Sequence, residues 1–323
     1  LPQLPEIPVV TAVLGLAEDG RPVLLQLSEA DMTPVLLAGE PGSGKTALLR
    51  AMAVSLALTN KQCQVQLLIV DGKGIESEST YGELEPLTYV PHMMMPIICD
   101  IEDAAEALTF LADEISYRGQ QDIAAPQVVV LIDRLVTLLE RGGQPIADAL
   151  VRLGQRGAAA GIHLVMSTSR PDAAILDDVF KSNFPVRLVG RVRDEQQAAA
   201  AAGVDGTQAE YLLGQGDFLA VTDDRITHFQ GAYIGDYDLH LTLEALHRNR
   251  PRALLAQPMS IRPTLPSSRQ GLPGEASEEP FSINMSNVTP EAEPVEAKLA
   301  DKSEVAEGPG VTDSLLYIKG GRK

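Results

Sequence analysis

Short apolar runs alternate with longer amphipathic stretches through residues 1–250 of the chain. The clearest apolar runs are rich in Val, Ile and Leu, and they cover residues 35–38, 65–70, 128–132, 162–166 and 187–192. Short runs of this kind are typical of strands that are buried on both faces of a parallel sheet. The helical patterns between and after them cover residues 47–54, 100–118, 146–155, 195–202 and 237–247. This alternation predicts an α/β fold, with a mostly parallel sheet and helices on both faces.

Two further pairs of strands are predicted at the two ends of this region. One pair lies in an N-terminal β segment, residues 1–33, and the other closes the domain before its last helix. The four patterns cover residues 9–14, 22–27, 218–221 and 226–229. The α/β domain itself is predicted to extend over residues 34–250.

The amino-acid composition changes from about residue 251 onward. Residues 251–323 are rich in Pro, Ser, Glu and Ala, and such a segment buries too little apolar surface to offset the entropy of ordering it. We therefore expect a disordered acidic linker or tail. A small apolar island at residues 314–318 is either a docking motif or the start of another module.

One glycine-rich loop carries the clearest chemistry in the chain. It lies between the strand pattern at 35–38 and the helical pattern at 47–54, and its residues are Gly39, Glu40, Pro41, Gly42, Ser43, Gly44, Lys45 and Thr46. The glycines let successive backbone N–H groups point at phosphate oxygens, and the start of the helix adds partial positive charge. Lys45 is expected to reach the β- and γ-phosphates, and Thr46 to offer its hydroxyl to Mg²⁺. The sequence thus predicts binding of ATP with Mg²⁺.

Two of the buried strand patterns end in an acidic residue, Asp71 or Asp133. Because parallel strands present their carboxyl ends at one edge of the sheet, both acids are expected near the glycine-rich loop. The run before Asp133 has the form of a Walker B segment, whose acid helps to hold Mg²⁺. Asp133 is therefore the candidate catalytic residue and, with Thr46, a candidate metal ligand.

Charge and cysteine content limit the class of protein. The net charge of −18 argues against a protein that binds nucleic acid with its whole surface. A locally basic stretch at residues 152–193 is either solvated charge or a DNA-facing patch, and Lys181, Arg187 and Arg191 are its candidate DNA contacts. Two cysteines cannot form a disulfide framework, and no apolar run is long enough to span a membrane. We expect a cytoplasmic location, and a membrane tether before Leu1 stays open.

Seven motifs in order resemble the motor domain of the FtsK/SpoIIIE family of DNA translocases. For example, Ala160-Gly161-Ile162-His163-Leu164 matches the family's A-G-I-H-L. The motifs cover residues 70–73, 91–100, 114–118, 160–164, 167–171, 181–187 and 209–219. The resemblance implies a RecA-like P-loop core that assembles into a homo-oligomer, a hexameric ring, binds ATP between subunits and passes double-stranded DNA through its pore.

Three positions depart from the family pattern, all on the side that hydrolyses ATP. Arg134 follows Asp133 where the family has a Glu that orients the attacking water, Ala158 replaces an interface arginine, and Ser169 replaces a glutamine. Lys45, Thr46 and Asp133 are retained. The departures favour a translocase or close derivative with weakened hydrolysis.

Two alternatives stay open at this point. A neighbouring residue such as Glu140 or Arg156 could substitute for the lost groups, which would restore hydrolysis. The chain could also be a non-hydrolysing nucleotide-binding module, a scaffold or regulator in a secretion or chromosome-handling assembly.

Limited proteolysis should cut first between residues 251 and 310 and leave a stable core of residues 1 to about 250. The physical reason is that cleavage concentrates in exposed segments with little buried backbone. Mass spectrometry of the earliest fragments measures the cleavage sites. First cuts within residues 34–250 would show that the domain boundary is misplaced.

Overall fold

The computed structural model describes residues 7–29, 32–77, 82–180, 183–248 and 315–318. Its strands are β1 (Thr11–Ala17), β2 (Pro22–Gln26), β3 (Val35–Ala38), β4 (Val65–Asp71), β5 (Gln127–Asp133), β6 (Ile162–Thr168), β7 (Val186–Gly190), β8 (Asp217–Val221), β9 (Ile226–Gly231) and β10 (Leu316–Ile318). Its helices are α1 (Lys45–Thr59), α2 (Gly72–Ser77), α3 (Ile101–Gln121), α4 (Leu135–Arg156), α5 (Ala174–Phe180), α6 (Glu195–Ala202) and α7 (Asp236–Arg248).

The described strands form one sheet in the order β10-β2-β1-β9-β8-β7-β3-β6-β5-β4. The half from β7 to β4 is parallel, and β8, β9, β1 and β2 continue it with antiparallel pairing. The predicted parallel sheet is therefore confirmed for the half that runs from β7 to the edge strand β4. The carboxyl ends of β3, β5, β6 and β7 share one edge, which we call the loop edge.

The core divides into two layers because successive side chains of each buried strand point to opposite faces. Leu36 and Ile132 face one layer with helices α3 to α6, whereas Leu37 and Leu131 face the other with α1 and α7. Helices thus cover both faces of the sheet, as the apolar runs predicted.

Local signals account for the start of the long helix α3. The Asp100 side chain accepts hydrogen bonds from the backbone N–H groups of Glu102 (2.8 Å) and Asp103 (3.3 Å). Such an N-cap satisfies backbone N–H groups that have no partner within the helix.

His163 in strand β6 is buried, as its place in a predicted strand indicated. Burial lowers the pKa of His163 to about 4, so the imidazole is neutral at physiological pH.

Residues near the C-terminus add a strand to the sheet. β10 pairs in parallel with β2, and Ile318 is buried against the same core layer as Leu25. The expectation of a disordered segment extending to residue 323 is wrong for residues 316–318, where an edge strand offers unpaired backbone groups and an apolar surface. Residues 251–314 and 319–323 of the predicted tail lie outside the described residues. Within the described part of the chain, no helix is long and apolar enough to cross a bilayer.

A buried ion pair connects α3 to the strands below it. Arg118 and Glu114 lie one helical turn apart, with Arg118 Nε 3.2 Å from Glu114 Oε1 and side chains that are 0% and 4% exposed. Arg118 Nη1 also donates to the carbonyl oxygens of Pro126 (2.8 Å) and Ala160 (3.3 Å). These residues lie before β5 and β6, so a motif that resembled a family signature has a structural role here.

Replacing Arg118 with Met should lower the free energy of unfolding by about 3–5 kcal/mol, because the change leaves the Glu114 carboxylate buried without its partner. Arg152→Met is the matched control. Its pair with Asp113 joins α4 to α3 at 2.9 Å, but the two side chains are 48% and 68% exposed, so its loss should cost at most about 1 kcal/mol. Urea denaturation of both variants measures the difference, and equal losses would contradict a structural role for the buried pair.

Candidate nucleotide site

The glycine-rich loop leaves β3 at the loop edge and ends where α1 begins. Gly42 and Gly44 have φ angles of +86° and +101°, a region that favours glycine. At Gly44 a Cβ atom would lie 2.7 Å from the backbone nitrogen of Gly216, so no side chain fits. The close approach lets the loop pack against a second turn, residues 213–217, which donates from Gln215 N to Gly42 O (3.2 Å) and from Gly216 N to Ser43 O (2.9 Å).

The Lys45 ammonium lies inside this loop. Its Nζ donates to the carbonyl oxygens of Gly39 (2.7 Å) and Glu40 (2.9 Å) and lies 3.4 Å from Ser43 Oγ. Burial lowers the pKa of Lys45 to about 8, and the nearby Asp133 carboxylate partly opposes that change. A buried cation held by neutral carbonyl groups is well suited to exchange them for phosphate oxygens.

Thr46 and Asp133 are brought together although they are far apart in sequence. The Thr46 hydroxyl donates to Asp133 Oδ2 at 2.8 Å, and the Ser167 hydroxyl donates to the other carboxylate oxygen. Hydroxyl and carboxylate oxygens are ligands that Mg²⁺ binds in proteins. No cluster of three or more His, Cys, Asp or Glu side chains in the described residues could hold a metal. The Thr46 and Asp133 oxygens fit a Mg²⁺ ion, for which nucleotide phosphates and water would supply the other ligands.

Asp71, the second predicted acid, lies beside Asp133 in the register of β4 and β5. Its Oδ1 accepts hydrogen bonds from the N–H groups of Lys73 (2.9 Å) and Gly74 (3.3 Å), so it fixes the first turn of α2. Burial raises the pKa of this carboxyl group.

Arg134 is held away from the ordinary helical conformation. Its backbone is left-handed (φ 62°, ψ 56°), and its N–H donates to Ser167 Oγ at 3.0 Å. Its guanidinium pairs with the carboxylate of Glu76 on α2. Arg141 supports the same helix by donating to the carbonyl oxygen of Ile75 at 2.6 Å. Glu76 and Ser167 are parts of the site that sequence reasoning missed, since no local pattern links them to Asp133.

The proposed substitutes for the lost catalytic groups, Glu140 and Arg156, lie at different places along α4. Glu140 pairs with Arg170 at 2.6 Å, and that hydrogen bond lowers the pKa of Glu140. Arg156 ends α4, and Ala158 follows it, so both precede β6 at the sheet edge opposite the loop edge. Ala158 lines an open cavity of about 1070 Å³ at that edge, together with His163.

Of the three predicted DNA contacts, two have internal partners and one lies outside the described residues. Arg187 is buried, and its Nη1 donates to the carbonyl oxygens of Ala200 and Ala201, both at 3.2 Å, at the end of α6. The guanidinium also lies 5.5 Å from the centre of the Phe184 ring. The burial of Arg187 therefore does not support its interpretation as a DNA contact, because helix-end carbonyls and an aromatic ring hold the cation inside the fold.

Arg191 belongs to the nucleotide site instead. Its guanidinium pairs with the Glu40 side chain of the glycine-rich loop, and its carbonyl oxygen accepts from Glu40 N at 2.8 Å. Nη1 also lies 3.4 Å from the carbonyl oxygen of Leu213. The position of Arg191 beside the loop edge therefore does not support its interpretation as part of a DNA-facing patch. Lys181 is not among the described residues.

The sequence comparisons and the structural comparisons agree with this arrangement. Residues 8–124 match the FtsK/SpoIIIE family profile. The chain is 30% identical over 265 residues to the DNA translocase FtsK of Mycobacterium tuberculosis, which covers 72% of this chain and 31% of that relative. The chain thus spans about a third of the length of this relative.

Two solved structures share the fold. The cytoplasmic domain of the Thermomonospora curvata type VII secretion ATPase EccC has a TM-score of 0.61 at 20% identity, over 75% of this chain and 31% of that chain. The pCW3 conjugation coupling protein TcpA, in its monomer form with ATPγS, has a TM-score of 0.62 at 23% identity, over 77% of this chain and 72% of that chain. The likeness at these identities concerns the fold, a RecA-like P-loop architecture.

The turn that supports the glycine-rich loop is itself connected to β9 and β1 by a histidine. Asp217 Oδ2 accepts from Leu213 N at 2.8 Å, and its Oδ1 lies 2.5 Å from His228 Nε2. His228 Nδ1 lies 2.6 Å from Glu18 Oε1. The hydrogen bond with Glu18, followed by that with Asp217, raises the pKa of His228.

We therefore expect a pH-dependent contribution of His228 to stability. It should be fully present below the unfolded pKa of about 6.5 and should disappear as the pH rises through the higher folded value. His228→Gln should flatten this part of the stability profile, measured by urea denaturation between pH 5.5 and 8.5. His240→Gln, at an exposed pair with Glu244, is the control, and an unchanged profile in His228→Gln would contradict the assignment.

Proposed function

This chain belongs to the FtsK/SpoIIIE family of DNA translocases, and on that premise we propose that it binds Mg²⁺-ATP well and hydrolyses it slowly. The observation that carries the proposal is the contrast at the end of β5. Asp133 contacts Thr46 as a magnesium site requires, whereas the next residue, Arg134, is a cation paired with Glu76.

The binding half of the proposal rests on residues that are already in place. Thr46 would bind Mg²⁺ directly, and Asp133 would hold the water shell of the ion. Lys45 would exchange the carbonyl oxygens of Gly39 and Glu40 for the β- and γ-phosphates. A triphosphate brings several negative charges next to this ammonium, which would stabilise its charged form and raise the pKa that burial has lowered.

The hydrolytic half concerns the proton of the attacking water. A carboxylate can orient that water and accept its proton, whereas a guanidinium cannot. Glu76 also carries a carboxylate beside this position, but that carboxylate pairs with Arg134. Loss of a general base typically lowers a rate by roughly 10²–10⁴-fold. Bound ATP would then persist.

Double-stranded DNA is the proposed macromolecular partner, on the basis of relatives that are named DNA translocases. A chain with a net charge of −18 repels phosphate unless basic side chains from several copies converge. A hexameric ring would supply that convergence. It would also bring the edge that carries Arg156 and Ala158 toward a neighbouring nucleotide site, which these residues cannot reach within their own chain.

A second candidate function is a nucleotide-binding scaffold or regulator that does not hydrolyse ATP at all. The same two residues favour it, because Arg134 supplies no base and Ala158 supplies no charge to a neighbour. A derivative motor should respond to duplex DNA with faster hydrolysis, whereas a scaffold should not.

We expect tight Mg²⁺-ATP binding and a turnover far below the ~1–100 s⁻¹ of competent phosphoryl-transfer enzymes. Arg134→Glu should raise turnover at least about tenfold, and Arg134→Glu with Ala158→Arg should exceed either single change, because both groups would act on one transition state. Arg134→Gln is the matched control, since it removes the cation without supplying a base. ATP affinity and steady-state ATPase rate, with and without duplex DNA, measure these effects.

Lys45→Ala gives the reference for lost binding. Equal ATP affinity in Lys45→Ala and the unaltered protein would end the nucleotide-site proposal. Brisk hydrolysis by the unaltered protein that Arg134→Glu leaves unchanged would contradict the weakened-motor proposal, while DNA-independent rates in every variant would favour the scaffold.

A further inference from the structure

We propose that Tyr233, with Leu213 close to the same loop, forms the surface that contacts the base of a bound purine nucleotide. This inference rests on the proposed ATP binding and adds the part of the site that recognises the base. The phosphate contacts involve the glycine-rich loop, Lys45 and Thr46, and none of these groups would contact a base.

The sheet order sets the direction in which a bound nucleotide must extend. Asp133 is the last residue of β5, and β6 lies between β5 and β3 in the sheet. The magnesium-bearing phosphates would therefore lie toward β6 and β5. The other end of the nucleotide must extend away from Asp133, toward β7, β8 and β9.

The segment that carries Tyr233 lies at the correct edge of the sheet. Because β8 is antiparallel to β7 and β9 is antiparallel to β8, β8 begins and β9 ends at the loop edge. Three strand spacings of about 4.8 Å place the end of β9 about 14 Å from β3 along the sheet. Tyr233 follows that end by two residues, beyond Gly231.

Several contacts hold this segment beside the glycine-rich loop. Gly231 N donates to Gly216 O at 2.6 Å, and Gly216 N donates in turn to Ser43 O at 2.9 Å. Three residues after Tyr233, Asp236 pairs with Arg50 of α1 at 2.5 Å. Because α1 begins at Lys45, the segment is connected both to the phosphate-binding loop and to the helix that follows it.

The side chains at this place are apolar and unusually exposed. Tyr233 is 80% exposed and Leu213 is 83% exposed, so both side chains are accessible to a ligand. The backbone of Leu213 is anchored, since its N–H donates to Asp217 and its carbonyl oxygen faces Arg191, which pairs with Glu40. A planar phenol ring beside a phosphate-binding loop is suited to stack on a purine.

A comparison of nucleotide binding with the binding of a base-free polyphosphate distinguishes this inference from the ATP-binding proposal on which it rests. Calorimetric titration of the full chain with Mg²⁺-ATP, Mg²⁺-UTP and inorganic tripolyphosphate provides the measurement. Tyr233→Ala should weaken ATP binding roughly tenfold, because base–aromatic stacking is lost, and should leave tripolyphosphate binding unchanged. Tyr233→Phe should restore the ATP affinity. The preference for ATP over UTP should shrink in Tyr233→Ala.

Tyr117→Ala on α3 is the matched control, since Tyr117 is exposed in the β4–β5 half of the molecule, and it should change neither affinity. A Tyr233→Ala variant that binds ATP as tightly as the unaltered protein, or that loses ATP and tripolyphosphate equally, would overturn the base contact. Lys45→Ala should weaken both ligands. If Lys45→Ala weakens neither ligand, the nucleotide site itself is misassigned, an outcome distinct from failure at Tyr233 alone.

Discussion

The contact between Thr46 and Asp133 depends on the order of the parallel strands, and the rest of the site depends on that contact. β6 separates β3 from β5, so the two residues meet only because all three strands present their carboxyl ends at one edge. Ser167, at the end of the intervening β6, donates to Asp133 and accepts from the backbone of Arg134. One hydroxyl thus fixes both the carboxylate of Asp133 and the backbone of Arg134.

Opposite charges are paired along the same edge. Arg134 with Glu76 and Arg170 with Glu140 form two neighbouring pairs that are each about half exposed. Exposed pairs contribute little to stability, so their value lies in where they hold the side chains. The two pairs therefore set the positions of two arginines and two carboxylates.

The antiparallel half of the sheet contributes to the same site from the other side. The turn at residues 213–217 packs so closely on the glycine-rich loop that a side chain at Gly44 would collide with the backbone of Gly216. Asp217 and His228 connect that turn to β9 and β1. The antiparallel strands therefore do more than extend the sheet, since they hold the phosphate-binding loop in shape and bring Tyr233 to its edge.

The sequence by itself determined the features that short windows encode. Apolar runs specified the buried strands, the glycine spacing with Lys45 and Thr46 specified the phosphate-binding loop, and the departure at Arg134 was visible as a single letter. Tertiary structure alone decided which distant residues meet. Glu76 reaches Arg134 across 58 positions, and Arg187, basic in sequence, is buried against helix-end carbonyls. Residues 316–318 join β2 because an edge strand had free backbone groups. Periodicity and turn chemistry are properties of a few consecutive residues. These pairings depend instead on the strand order and on the burial of charged side chains, and no short segment of the sequence predicts either of them.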